Sequence, residues 1–153
     1  MPRQTDCLCV NLRRAARAMT ALYDEALAPA GIKVTQYSLL CAVERNEPAA
    51  IGTLSEELDL DRTTLARNLN PLQRDGLIDV AAGSDRRVTE VRLTRNGRRA
   101  IDKARPLWTR AQTEIAARLA SGRIEQLRAI AAEASAVAAM PPVPVRTRRK
   151  RSA

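Results

Sequence analysis

The chain has 153 residues, 45% of them hydrophobic, enough for one compact core and too few to add a second catalytic domain. Its 26 Lys and Arg against 17 Asp and Glu give a formal charge of +9, a balance that favours a polyanionic partner, and the absence of histidine removes both the commonest general base near neutral pH and any mixed Cys/His zinc site. Three cysteines make no disulfide framework, and Trp108, Tyr23 and Tyr37 are too few aromatics for a platform that stacks single-stranded bases.

No apolar run has the length of a membrane span, and the sequence reaches Asp6 without a signal-peptide apolar region, so a cytoplasmic location is expected and no membrane partner. From about Cys7 to Leu27, residues Leu8, Leu12, Ala15, Met19, Leu22, Ala26 and Leu27 recur at helical spacing, with Arg13, Arg14 and Arg17 mostly elsewhere. Pro29 and Gly31 end that helix. Thr35 is the expected N-cap of a second helix through about Asn46, with Leu39, Leu40 and Val43 on its apolar face and Pro48 closing it.

Thr53 with Glu56 three residues on reads as a capping box opening a short helix that ends near Leu60. Asp61, eight residues later, reads as a second N-cap. Two short helices with almost no linker make a helix-turn-helix outline. Between Asp61 and Asp75, Leu65, Leu69 and Leu72 form one core stripe, leaving Arg62, Thr63, Arg67, Asn70 and Arg74 outward and Thr64 and Asn68 on the flanks. Arg, Thr and Asn are the side chains that reach base edges and phosphates in a major groove. A polar outer face is also the default of any amphipathic helix, so the segment C-terminal to this helix decides its meaning.

Pro71 removes a backbone donor late in this helix, and Gly76 supplies its end. Leu77 to Val80 and Thr89 to Leu93 then read as two short strands around Gly83-Ser84-Asp85-Arg86-Arg87. A hairpin after a helix-turn-helix is a wing, and the arginines at its tip suit phosphates or an adjacent minor groove. The winged helix-turn-helix occupies about residues 53 to 94. The order Leu65, Leu69, Leu72, Gly76-Leu77-Ile78, then Asp85-Arg86-Arg87, then Leu93-Thr94 and Gly97 resembles the MarR family of regulators over nearly the whole chain. The resemblance implies a triangular homodimer, a recognition helix at Asp61 to Asp75, and an Asp85/Arg87 pair that braces a DNA-contacting wing. It also implies that a ligand or an oxidant lowers DNA affinity.

The last third supports a dimer independently. Thr94 opens a long helix to about Ala120, kinked or broken at Pro106, and Arg123 to Ala138 forms another; their larger apolar residues include Leu107, Ile115, Leu119, Ile124, Leu127, Ile130 and Val137. Two such helices beside a small winged region need something to pack against, and with the first helix they suit an interchain bundle whose two-fold symmetry matches a palindromic operator. From Met140 a proline-rich stretch leads into Arg146, Arg148, Arg149, Lys150 and Arg151, a basic tail expected to be disordered, without which the formal charge is about +4.

Cys7 and Cys9 are candidates for redox or effector sensing near Arg13 and Arg14; spaced by two they point to different sides of a helix, and ordinary small packing residues are the other reading. Cys41, among Leu39, Leu40, Ala42 and Val43, reads as core. A crevice involving Tyr37, Cys41 and Trp108 is a candidate effector pocket, and those residues equally suit a core.

The sequence therefore predicts a mainly α protein with a small hairpin wing. Residues 1–34 form a dimerisation helix, 35–94 the DNA-binding region, 95–139 further dimerisation helices and 140–153 the tail. The expected function is sequence-specific binding of double-stranded DNA as a homodimeric transcription regulator, a repressor released by a small ligand or by cysteine modification. DNA contacts are expected from Arg62, Thr63, Thr64, Arg67, Asn68, Arg86 and Arg87, with no cofactor, no metal and no catalysis. A winged-helix protein-interaction module without DNA binding is the alternative.

Overall fold

The computed structural model describes residues 7–83, 85 and 87–139 and divides into two compact units, Met1–Thr113 and Glu114–Ala153. Arg86 and the expected disordered tail, residues 140–153, lie outside the described residues. The first unit contains α1 (Leu8–Leu27), α2 (Val34–Asn46), β1 (Ala49–Ala50), α3 (Ile51–Leu58), α4 (Arg62–Arg74), β2 (Ile78–Ala82), β3 (Thr89–Leu93) and most of α5 (Arg95–Arg118). The second holds the last turn of α5 and α6 (Arg123–Ala138).

α1 ends where Leu27 is fully buried, and a single 3-10 turn, Ala28–Ala30, carries Pro29 at its start and stops at Gly31, whose φ of 77° suits glycine. The chain re-enters a helix two residues earlier than Thr35 as N-cap would place it, with Lys33 at the cap position. Asp24 of α1 accepts the Val34 amide at 2.8 Å and Gln36, within the first turn of α2, accepts the Lys33 amide at 2.9 Å, so side chains satisfy the first free donors and Thr35 is left exposed. α3 departs from expectation in the same way. Its N-cap is Ala50, not Thr53, because β1 pairs with β3 up to Ala50 and the helix begins directly after that strand.

Asp59, at φ 49° and ψ 47°, ends α3 in the left-handed region, which aspartate tolerates better than most side chains. Two residues later Asp61 caps α4, as its sequence position predicts, taking the Thr64 amide at 2.9 Å. α4 closes as a Schellman motif: the Leu77 amide reaches the Leu72 carbonyl at 2.8 Å and the Gly76 amide reaches Gln73 at 3.0 Å, with Gly76 at φ 67°. Leu65, Leu69 and Leu72 fill the core with Leu27, Leu40, Val43, Leu54, Ile78, Val91 and Ile101, each buried leucine contributing about 1.5–3 kcal/mol.

The sheet has the order β1-β3-β2, with β3 central and both pairings antiparallel. Val91 sits opposite Ala49 on one side and Val80 on the other and is fully buried. β2 begins at Ile78 and runs to Ala82, later than the Leu77 to Val80 read from the sequence, and β1 is an addition to it. α5 is continuous through Pro106, so the proline does not break it. Thr94 starts it by accepting the Gly97 amide on Oγ1 at 3.0 Å. α6 spans the predicted residues, with Leu127, Ile130 and Val137 exposed. Among the described residues no single helix is long and apolar enough to cross a membrane.

Candidate nucleic-acid interface

α4 is the second helix of the helix-turn-helix, and its orientation about its own axis is set by three leucines. With Leu65, Leu69 and Leu72 buried, Thr63, Arg67, Asn70 and Arg74 recur at i, i+4, i+7 and i+11 on the opposite side and are all exposed. Arg62 and Asn68 are exposed on the flanks. The Asp61 cap fixes the first turn, from which Arg62 and Thr63 project.

Thr64 differs from the other residues of the expected set. Its hydroxyl donates to Asp61 Oδ2 at 2.6 Å while its amide donates to Oδ1, and the residue is half-buried. These bonds hold the Asp61 carboxyl below the usual carboxylate range, the Thr64 hydroxyl contributing most. Thr64 is thus placed to orient the helix start.

The outer face extends further toward the C-terminus than the expected set does. Arg67, Asn70, Pro71, Gln73 and Arg74 line an open depression of about 590 Å³ on this helix. Pro71 contributes by having no N–H, which leaves the Arg67 carbonyl without its usual partner four residues on. The Arg74 guanidinium lies 3.7 Å from Asp75 on the surface, too loose and exposed an ion pair to immobilise it. Asn70 and Arg74 were legible as outward from the leucine spacing; what spacing alone lacks is the depression that joins them to Arg67.

At the wing, the Asp85 carboxylate accepts the Arg87 backbone amide at 3.0 Å and lies 3.4 Å from its guanidinium Nε. The Val88 amide returns to the Asp85 carbonyl at 2.8 Å and the Gly83 amide to the Val88 carbonyl at 2.7 Å. The turn is therefore shaped mainly by main-chain bonds around Asp85, an Asx-type arrangement, and the Arg87 side chain, 91% exposed, projects from it. Arg92, lower on the wing, is paired with Glu90 at 2.9 Å.

Further from this surface, Arg45 and Asn46 at the end of α2 both bond Glu57 of α3, and the Arg45 guanidinium holds the Glu57 carboxyl below its ordinary range. Cys7 and Cys9 are free and exposed. Cys41 is half-buried, and burial pushes its thiol up. Burial and a bond to Cys41 likewise push the Tyr37 hydroxyl up to about 12. The Tyr37 and Trp108 rings lie 6.0 Å apart at 40°, and Arg105 meets Glu44 at 2.7 Å beside them. Tyr37 is buried within the core.

A family model described as MarR family matches residues 30–88. Among solved structures, the M. tuberculosis transcriptional regulator MosR in complex with DNA is 37% identical, covering 88% of this chain and 100% of that one, with a TM-score of 0.77. PcaV of Streptomyces coelicolor, solved with its natural ligand, is 23% identical over 90% of this chain and 99% of its own, with a TM-score of 0.78. A mutant MarR of E. coli complexed with operator DNA is 21% identical over 83% of this chain and 92% of its own, with a TM-score of 0.73. The last two share the fold. Among curated proteins none matches this chain.

Proposed function

This chain belongs to the MarR family, and from that premise we propose that it is a transcription regulator that binds double-stranded DNA as a homodimer, inserting α4 in the major groove and laying the wing against the backbone. The observation that carries this reading is the outer face of α4: an exposed row of Thr63, Arg67, Asn70 and Arg74 on a helix locked at its start by Asp61 and along its inner side by three leucines. Arg matches guanine and Asn matches adenine through paired hydrogen bonds, and a rigid helix lets those matches discriminate. Arg62 and Asn68 flank the row, and Arg86 and Arg87 at the wing supply charge for phosphates. Acting on DNA, the protein works in the cytoplasm.

A second copy of the chain is the partner for the apolar faces of α1 and α6, where Leu8, Leu12, Met19, Leu127 and Ile130 are exposed. The two-fold symmetry of such a dimer sets two copies of α4 on two half-sites, so the operator is a palindrome and the natural effect is repression. Release comes from a small ligand or from modification of Cys7 and Cys9, the exposed thiols, while the Cys41 thiol, raised by burial, reacts more slowly.

The test is selection on random duplex DNA, then anisotropy titration across salt. Affinity for the selected site should fall steeply with salt, and Arg67→Ala should cost about 1–3 kcal/mol with the dimer intact. No duplex affinity at low salt would leave a protein-docking module instead. Peroxide treatment of wild type, Cys7→Ser/Cys9→Ser and Cys41→Ser then separates the two routes of release. Identical responses of wild type and the double variant would remove the N-terminal thiols from regulation.

A further inference from the structure

Residues 93 to 98, where β3 turns into α5, are fastened from two directions. On one side is the end of α4: the Thr94 amide donates to the Leu77 carbonyl at 3.1 Å, and the Thr94 hydroxyl donates to the Gly76 carbonyl at 2.7 Å. Gly97 completes this side, because a Cβ there would stand 2.0 Å from the Leu77 carbonyl oxygen. On the other side is one carboxylate. Glu47, at the C-terminus of α2, accepts the Leu93 amide on Oε1 at 3.0 Å and the Arg98 guanidinium on Oε2 at 2.5 Å.

The ladder explains why a side chain is needed. β1 has only two residues, Ala49 opposite Val91 and Ala50 opposite Glu90, so it ends before it can offer a carbonyl to Leu93. Pro48 precedes it. The Glu47 carboxylate extends the acceptor edge by one more bond to β3 and with its second oxygen takes the first turn of α5. The Glu47 side chain is 18% exposed, so these are shielded, charge-assisted bonds of the stronger class.

We propose that Glu47 is a positioning residue for DNA binding: by pinning the β3–α5 corner to the end of α2 it fixes where the wing stands relative to α4. α4 is held to the core by its leucines, whereas the base of the β2–β3 hairpin is held by β1 only at Val91 and Glu90, by Thr94 at the end of α4, and at Leu93 by Glu47. Both must meet one duplex. A wing freed at its base keeps its sequence but loses the fixed offset from α4, so phosphate contacts fall away while base reading by α4 persists.

This inference rests on the DNA-binding reading above, and the two fail differently: absence of duplex binding by wild type defeats that reading, whereas the outcomes below concern Glu47 alone. Glu47→Ala removes both bonds, Glu47→Gln keeps a neutral acceptor for the Leu93 amide, and Arg98→Met removes the ion pair only. Operator affinity should fall about tenfold or more in Glu47→Ala, with most of it restored in Glu47→Gln. The distinguishing readout is coupling. Adding Arg87→Ala to Glu47→Ala should cost little beyond Glu47→Ala, since the wing contact is already lost, whereas adding Arg67→Ala should cost its full amount. A general loss of fold would couple to both alike and overturn the proposal, as would wild-type affinity in Glu47→Ala. Amide exchange supplies a reading independent of DNA. Leu93 and the wing amides from Asp79 to Arg92 should exchange at least about tenfold faster in Glu47→Ala while those of Leu65 to Leu72 are unchanged; equal rates across the wing refute it. If Glu47→Ala does not fold, Arg98→Met carries the same coupling and exchange tests with smaller losses, and coupling to Arg67 in place of Arg87 would refute it there.

Discussion

α1 and α4 carry the same kind of pattern, leucines at helical spacing with arginines between them, and reach opposite environments. In α4 the stripe of Leu65, Leu69 and Leu72 is buried and the arginines face out. In α1 Leu8 is 65% exposed, Leu12 and Met19 are also exposed, and only Leu27 at the far end is buried. The starts differ too: Asp61 caps α4 through Thr64, while α1 begins at Cys7 with no side-chain cap. A stripe that finds its partner within the chain specifies the fold, whereas one left facing outward is available to a second molecule, the role proposed above for α1. The charge on the same two helices obeys this division, since arginines opposite a satisfied stripe are free to serve another molecule.

Substitutions on the two stripes should therefore fail in different ways. Leu65→Ala, which opens a cavity in the centre of the first unit, should lower unfolding free energy by about 2–5 kcal/mol in urea denaturation and abolish operator binding near the shifted midpoint. A loss below about 1 kcal/mol would mean that α4 is held by something other than its leucines. Leu12→Ser should remove about 1.5–3 kcal/mol of apolar burial per chain from the dimer and little from the folded protomer. Sedimentation velocity over a dilution series should show a weaker dimer with unchanged helicity by circular dichroism. An unaltered monomer–dimer midpoint would assign α1 some other role.

Legibility in the sequence divides along the same line between local and distant causes. The Asp61 cap, the leucine stripe, the Gly76 ending and the span of α6 are written within a few residues of one another, and the chain shows them. β1 is not so written: Ala49-Ala50 has neither alternation nor β-branching, and it is a strand because β3 lies beside it. The same distant pairing moves the start of α3 to Ile51 and leaves Thr53, a reasonable cap by local rules, inside the first turn. In the site, Arg67 and Arg62 are exposed as periodicity requires, whereas the commitment of Thr64 to Asp61 appears only when both side chains are placed. Glu47 was the least legible residue of consequence, since its partners lie 46 and 51 positions away.

The capped start of α4 also sets a dependence on pH. The Asp61 carboxyl is held below its ordinary value by bonds from Thr64, so the folded state favours the ionised form. That contribution is complete above the unfolded pKa, about 3.9, and disappears as the pH falls through the lower folded value. Asp61→Asn retains an oxygen acceptor for the Thr64 amide, as asparagine caps nearly as well, and removes the titrating group. Its stability at pH 7 should lie close to wild type, and its stability profile should be flatter than that of wild type from pH 5 downward. Denaturant midpoints at half-unit steps of pH would measure this; parallel profiles would mean that Asp61 senses no difference between folded and unfolded states.

The smallest effect tests the other helix start. The Cys7 carbonyl accepts the Asn11 amide at 3.1 Å, but the Cys7 side chain caps no amide of the first turn of α1, although its backbone, extended at φ −79° and ψ 110°, already has the conformation an N-cap requires. Cys7→Ser places a hydroxyl oxygen where the thiol stands, able to accept the amide of Cys9 or Val10, and should stabilise the helix start by at most about 1 kcal/mol. Global unfolding would scarcely register such a gain, because the first turns of an exposed helix fray before the core opens. Amide exchange at Cys9, Val10 and Asn11 is the fitting measurement, and a slowing of up to about fivefold is expected, the size that a cap of this energy permits. Unchanged exchange would show that α1 is fixed by its apolar face and gains nothing from a cap. The result also calibrates the Cys7→Ser/Cys9→Ser variant, since any change in operator affinity without oxidant would then measure helix order, leaving the response to peroxide as the measure of thiol chemistry.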